Sequence, residues 1–439
     1  MVNRLVILIF LLCGTLPAVA LAQDDDAEHL RIHGSNVLGS SLVPAMVDSW
    51  LRDIGYGGIV RRDPSPTRTE IHAIRDGEKL VVEIEKRGTA SGLSALVDGN
   101  AEISMSARQP DAKEIDAAWQ LGDLKSPGQE WVIGLDGLAV LVGPGNSTEQ
   151  VGVEQLRGLL TGKITDWRAL GGRPGPIHAY AMAAGTGTGE LTDELVLRGA
   201  RMAGGTRTYR SYALLVAALR ADPAGIGIVA LRAPHASLKA LAIRSGGVAA
   251  KPERLAVSAE DYPLQHRIYL HTGQLITALG RGFAQYAVSP AGQVVVERSQ
   301  FLSLNLRPMA PDKLEQAPRE YLQLIASARR LPMTIRFGTG LDIFDSRSRQ
   351  DVERLTAFLQ RPENASRRVM LIGFANPQPQ SPYQSLSLSQ ERVDYVSSEL
   401  LALDVKVVSV RGFGGSRNLV DAGQRSARYR NDRVEVWLR

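Results

Sequence analysis

The chain has 439 residues, 44% of them hydrophobic and 22% charged, with a net charge of +5. Single hydrophobic cores rarely grow past about 250–300 residues, so more than one domain is required. The balance of apolar and charged residues excludes a disordered or fibrous chain.

In chain order, the first 22 residues read as a cleaved secretory signal. Arg4 supplies the positive start, Leu5 to Leu12 the apolar run, and Ala20-Leu21-Ala22 the small-x-small cleavage site, with Gln23 opening the mature chain. The run is too short for a span of about 20 residues, and Gly14 and Pro17 interrupt its end. Leu12 before Cys13 argues against a lipoprotein. Cys13 is the single cysteine. Its removal excludes disulfides, thiolate metal sites and cysteine nucleophiles. Export, with only 5% aromatic residues, also argues against a nucleic-acid partner.

Leu30 to His33 predicts a strand, followed by the turn Gly34-Ser35-Asn36. A helix follows with Leu42, Met46 and Trp50 on one face and Ser40 or Ser41 able to cap it. Further strands are expected at Leu80 to Ile84, Ala101 to Met105, Leu138 to Val142, Ile177 to Tyr180, Ile226 to Leu231 and Ile268 to Leu270. Helices are expected from Leu93, over Glu154 to Leu160 and over Glu190 to Leu197. This alternation indicates an α/β layout with parallel strands, and the apolar run Leu138 to Val142 suits a sheet covered on both faces.

Pro308 and Pro311 break the pattern near Leu306 to Asp312. The domain limits expected are 23–308, a linker helix over 309–329, and 330–439. Pro318 suits the first turn of the linker helix, whose Leu322, Ile325 and Ala328 share a face that should dock. The last segment predicts strands at Met333 to Phe337, Val369 to Phe374, Val407 to Val410 and Arg433 to Leu438. The last of these alternates as a half-buried strand does. Val352, Leu355, Phe358 and Leu359 mark one helix, and Val393, Val396, Leu400 and Leu403 a second, giving an α+β domain. From Arg330 onward 17 basic residues face 12 acidic ones, a balance suited either to an Arg-rich surface or to an anionic polymer.

Three Gly/Ser/Thr-rich turns each follow a strand and precede a helix: Gly34-Ser35-Asn36, Gly88 to Gly92, and Gly185 to Gly189. Free N–H groups at helix starts, with hydroxyls beside them, can hold an anion. Three such turns in one domain point to an oxyanion site between two lobes.

Residues 30 to 305 resemble the PstS-type periplasmic phosphate-binding proteins. The resemblance rests on Asp136-Gly137-Leu138-Ala139-Val140, Gly162-Lys163-Ile164-Thr165-Asp166-Trp167, Gly171-Gly172, Gly185-Thr186-Gly187-Thr188, Ala224-Gly225-Ile226-Gly227 and Ser289-Pro290-Ala291-Gly292-Gln293. It implies a two-lobed periplasmic-binding-protein fold that closes on a ligand about a hinge. The implied ligand shell is Ser35, Asn36, Thr89, Thr186, Gly187 and Thr188. Two positions depart from the family pattern: Met182 stands where many members have an arginine, and Ala107 where many have an aspartate. Arg108 could return the missing positive charge, or pair structurally with a nearby acid.

Residues 330 to 439 resemble OmpA-type peptidoglycan-binding domains, on Ile335-Arg336-Phe337, Gly373-Phe374-Ala375-Asn376, Leu388-Ser389-Gln390-Glu391-Arg392-Val393, Gly412-Phe413-Gly414 and Asn431-Asp432-Arg433-Val434-Glu435. The resemblance implies a grip on the diaminopimelate end of the stem peptide by an Asp and an Arg. Arg392 occupies the Arg position, and Asn376 replaces the Asp.

His29 and His33 fall on a strand and make no helical metal pair, and no Gly-x-Ser-x-Gly or His-Glu-x-x-His motif occurs. The sequence therefore points to a non-enzymatic periplasmic receptor that needs no cofactor. It captures a small oxyanion, phosphate foremost, and is held at the cell wall or outer membrane. An ABC transporter or another envelope protein is a further partner. The alternative is a structural envelope tether with a degenerate ligand site, which Met182 and Ala107 favour.

Overall fold

The computed structural model describes residues 27–143, 145–233, 237–311, 317–337, 344–378, 380–424 and 426–439. The signal segment, with Ala20-Leu21-Ala22 and Cys13, lies outside the described residues. Among these residues no helix is long and apolar enough to cross a membrane, and no group of three or more His, Cys, Asp or Glu could hold a metal ion.

Two lobes share one long sheet. Its strands lie in the order Gly57–Ser65, Arg68–Arg75, Glu78–Lys86, Glu28–Gly34, Ile103–Ser106, Gln265–Thr272, Glu130–Val142, Gly225–Ala230, His178–Met182 and Arg207–Tyr209. The strand Glu130–Val142 belongs to both lobes. Its first half pairs with Gln265–Thr272, and Leu138 to Val142 pair with Gly225–Ala230. The chain recrosses at Leu302, which bridges Leu135. One core, around Leu30, Ile32, Met46 and Phe283, serves the first lobe; another, around Leu138, Val140, Leu156 and Tyr262, serves the second. All of Leu138 to Val142 is buried, as their unbroken apolar run requires.

The sheet is mixed rather than wholly parallel. Glu28–Gly34 pairs parallel with both neighbours, whereas Gln265–Thr272 runs antiparallel to both of its own. The meander Gly57–Ser65, Arg68–Arg75 and Glu78–Lys86 forms one edge. Its outer strand is nearly all exposed and carries Arg61, Arg62 and Asp63, so no apolar alternation announces it. Leu42, Met46 and Trp50 are buried on one helix face as expected, but Ser40 and Ser41 do not cap it. The helix already runs through them, and Ser40 Oγ donates back to the Asn36 carbonyl.

The C-terminal domain has a sheet ordered Arg329–Arg336, Arg433–Leu438, Val369–Phe374, Val407–Gly412. Helices Ser346–Leu359 and Pro382–Ala402 cover one face through Val352, Leu355, Val393 and Leu400. Helix Arg319–Ile325 covers the other, but through Tyr321, Ile325 and Ala328; Leu322 points outward. Arg433–Leu438 is therefore central and fully buried, not half-buried. Its polar residues survive burial by pairing: Glu435 meets Arg330, Arg417 and Arg433 at 3.4–3.6 Å and accepts the Tyr321 hydroxyl hydrogen at 2.8 Å.

The C-terminal domain is packed onto the first. Glu260 lies at the centre of the contact and meets Arg267, Arg336 and Arg347, all buried. Arg330 pairs with Asp261 at 2.6 Å, and Arg267 with Asp345 at 2.9 Å. Ser346, at the start of its helix, donates to Glu130 on the strand shared by both lobes.

Candidate functional site

A cavity of about 550 Å³ opens between the lobes. The first lobe brings Asn36, Thr89 and Arg108 to it; the second brings Gly187 and Thr188. Two close approaches fix the first-lobe wall. Gly34 has φ 141°, and a Cβ there would meet the Met105 carbonyl oxygen at 2.0 Å; a Cβ on Gly92 would meet the Gly34 Cα at 2.5 Å. Only glycine allows this strand and helix to approach so closely.

Ser35 and Thr186 do not line the cavity. Ser35 is buried, with its N–H donating to the Met105 carbonyl at 2.9 Å. Thr186 caps the following helix, its Oγ1 accepting from Gly189 N at 3.1 Å. Thr89 Oγ1 accepts from Ala107 N at 3.1 Å, which leaves its own hydrogen free to turn toward the cavity. Met182 packs in the second-lobe core against residues such as Tyr180 and Leu215.

Arg108 forms a two-pronged pair with Glu114, at 2.6 and 2.7 Å. The bond from Arg108 holds the Glu114 carboxyl below its usual range, despite partial burial. This arginine is thus already engaged by an acid of its own lobe, and the structural pairing weighed above is the one present.

Several further charged groups line the cavity. Arg232 donates to Asp136 at 2.6 Å and lies over the Phe301 ring at 4.7 Å. In the sequence Asp136 is marked only by the Asp136-Gly137-Leu138-Ala139-Val140 motif. His266 contacts the Ala107 carbonyl through Nδ1 at 2.6 Å, which leaves Nε2 buried and without a partner among the described residues. Arg87 and Arg198 add two more cations; each pairs with an acid, Glu85 at 2.7 Å and Glu154 at 3.2 Å, but both side chains stay largely exposed, at 64% and 53%. Glu190, Asp193 and Glu194 also face the space. Glu194 is exposed to the cavity, yet the protein around it displaces enough water to raise its carboxyl above the usual range, only partly opposed by His266 and Arg108. Glu190 is raised for the same reason. Asp136 apart, no local motif marks these residues, which converge from separate segments of the chain.

At the end of the C-terminal sheet, Asn376 is buried. Its Oδ1 accepts from Asn431 Nδ2 at 2.8 Å, and its N–H donates to Asp432. Arg392 lies 2.8 Å from Asp432 and 4.9 Å above the Phe337 ring. The carboxylate beside Arg392 is therefore that of Asp432, which the sequence marks only through the Asn431-Asp432-Arg433-Val434-Glu435 motif.

Two lobes joined by crossing strands, with a polar cavity at the crossing, define a two-lobed ligand-binding fold. The PBP superfamily domain matches residues 72–291, and the chain belongs to that superfamily. A protein of Streptococcus agalactiae named phosphate-binding protein PstS 2 is 32% identical over 21% of this chain and 28% of its own length. The phosphate-binding protein PstS of Bacillus subtilis is 26% identical over 47% of this chain and 66% of its own length. The chain thus spans less than two thirds of these relatives. The crystal structure of an ABC-type phosphate transport receptor from Vibrio cholerae matches with a TM-score of 0.51 at 18% identity, over 63% of this chain and 99% of that one. That likeness bears on the fold.

Proposed function

We propose that this chain is a non-enzymatic receptor of the cell envelope, exported to the periplasm, whose two lobes close on a small oxyanion of the phosphate class. The observation that carries the reading is the convergence of Asn36, Thr89, Gly187 and Thr188 with Arg87, Arg198 and Arg232 on one cavity between the lobes. Hydroxyls, helix-start N–H groups and guanidinium groups are the donors an oxyanion needs. The names of the sequence relatives support phosphate as the first anion to test. The structural relative from Vibrio cholerae is described as an ABC-type phosphate transport receptor, and in this reading an ABC transporter receives the ligand.

The C-terminal domain holds the receptor at the cell wall in this reading, which rests on its resemblance to OmpA-type domains. Asp432 and Arg392 then form the charged pair offered to a stem peptide. Arg392→Ala should release the protein from purified sacculi; unchanged co-sedimentation would refute the grip.

A second reading, a tether with a degenerate ligand site, is favoured by the Arg108–Glu114 pair and by Glu190, Asp193 and Glu194 in the cavity. Calorimetric titration separates the two. The chain from residue 23, stripped of ligand by unfolding and refolding, is titrated with phosphate and then sulfate. Micromolar or tighter phosphate binding supports the receptor. No heat with either anion leaves the tether.

A further inference from the structure

One end of the C-terminal sheet is strongly basic. Arg329 pairs with Leu438, while Val369 pairs with both Leu438 and Val407, so three strands begin and one ends there. Arg329, Arg361, Arg367, Arg368, Lys406 and Arg439 gather around these strand ends. Among the described residues none of the six is in an ion pair. Arg367 and Arg368 bond to Asn364 and to nearby carbonyls, and Arg439 to the Leu324 carbonyl at 2.7 Å. The acids on the neighbouring turns are Glu363 and Asp404, both exposed. Even with a terminal carboxylate at residue 439 counted, cations outnumber acids two to one.

Two leucines lie beside this charge. Leu401 is 57% exposed and Leu403 43% exposed, at the end of helix Pro382–Ala402 and just before Lys406. Asn376, Arg392 and Asp432 lie at the opposite end, where Phe374 pairs with Arg433. The basic end is therefore separate from the wall-binding candidate, and it does not depend on the ligand assigned to the cavity.

We propose that this end of the sheet is a docking surface for a bilayer carrying anionic phospholipids. Unpaired Arg and Lys side chains are attracted to anionic headgroups, and exposed leucines beside them can enter the boundary of the acyl chains. A soluble polyanion would satisfy the charges but give the leucines nothing to enter.

The test uses the chain from residue 23, which keeps every described residue and lacks the apolar leader. It is sedimented with phosphatidylglycerol-containing vesicles and with pure phosphatidylcholine vesicles. Binding should require the anionic lipid and weaken with salt. Arg329→Glu with Arg361→Glu and Lys406→Glu, all at exposed positions, should weaken it roughly tenfold or more. Leu401→Ser with Leu403→Ser should weaken it less, with the salt dependence kept. No binding to anionic vesicles, or equal binding by the triple variant, would overturn the proposal. So would heparin binding of equal strength combined with no effect of the leucine changes, because that pattern belongs to a soluble polyanion. Circular dichroism of each variant checks that the fold is retained.

Discussion

Glu194 and Gly187 set opposite conditions on the cavity. Loss of surrounding water raises the Glu194 carboxyl, so it stays protonated over part of the range in which an ordinary glutamate is charged. Protonated, it can donate to an anion; ionised, it repels one. Anion affinity should therefore fall as pH rises through the raised value, and Glu194→Gln should lack this component. The ratio of variant to wild-type affinity, measured by calorimetry across pH, cancels the anion's own titration. It should rise by roughly a few-fold to tenfold, the repulsion being screened by cavity water. Gly187 acts through space rather than charge. A Cβ there would lie 1.9 Å from Val37 Cγ2 on the other lobe. Gly187→Ala should wedge the lobes apart at an overpacking cost of about 1–3 kcal/mol. Affinity should drop roughly tenfold or more, and adding Val37→Ala should recover most of the loss. An unchanged affinity in Gly187→Ala would show that closure does not bring these two positions together.

At the scale of elements, the strands and helices of the C-terminal domain carry buried charges that the neighbouring domain helps to satisfy: Arg336 and Arg347 meet Glu260, and Arg330 meets Asp261. Burial alone would push the Glu260 carboxyl up, but Arg267, Arg347 and Arg336 hold it well below the carboxylate range. Removing one partner of a buried ionic group strands the others, at a cost of about 3–5 kcal/mol. Glu260→Gln should therefore lower stability toward denaturant by that order. The pH sign follows from the direction of the shift. A depressed folded value gives stability that is present above the unfolded carboxyl range and lost as pH falls through the folded value. Wild-type stability should fall in acid, and the Glu260→Gln profile should be flatter. Element types were largely legible in the sequence, because Leu42, Met46 and Trp50, or Val352, Leu355 and Phe358, repeat with the helix period. Burial of the charged residues was not. Arg433 and Glu435 alternate with Val434 and Val436 as on a wet-faced strand, and only the helix Arg319–Ile325 and the arginines around Glu435 make both faces dry.

The whole molecule is less divisible than its sequence suggests. Pro308 and Pro311 read as a break between units, and the cavity residues Asn36, Thr89, Gly187 and Thr188 were recognisable because their turns are local. The joining contacts were not recognisable, because Glu260 and Arg347, or Glu130 and Ser346, are far apart in the chain and no periodicity links them. These contacts touch both sides of the ligand cleft. Ser346 and Gln350 bond to Glu130 on the shared strand, whereas Val248 N–H donates to the Asn418 carbonyl at 3.1 Å on the second lobe. A C-terminal domain fixed to both sides in this way should melt with the lobes, not after them. Differential scanning calorimetry of the chain from residue 23 should show one transition. Arg336→Ala with Arg347→Ala leaves Glu260 with only Arg267 of its three guanidinium partners, and should split that transition into two, of which the one from the lobes is sensitive to anion. Two transitions in the wild-type protein would mean that the ionic contact does not couple the domains, and that the C-terminal domain moves independently of the cleft.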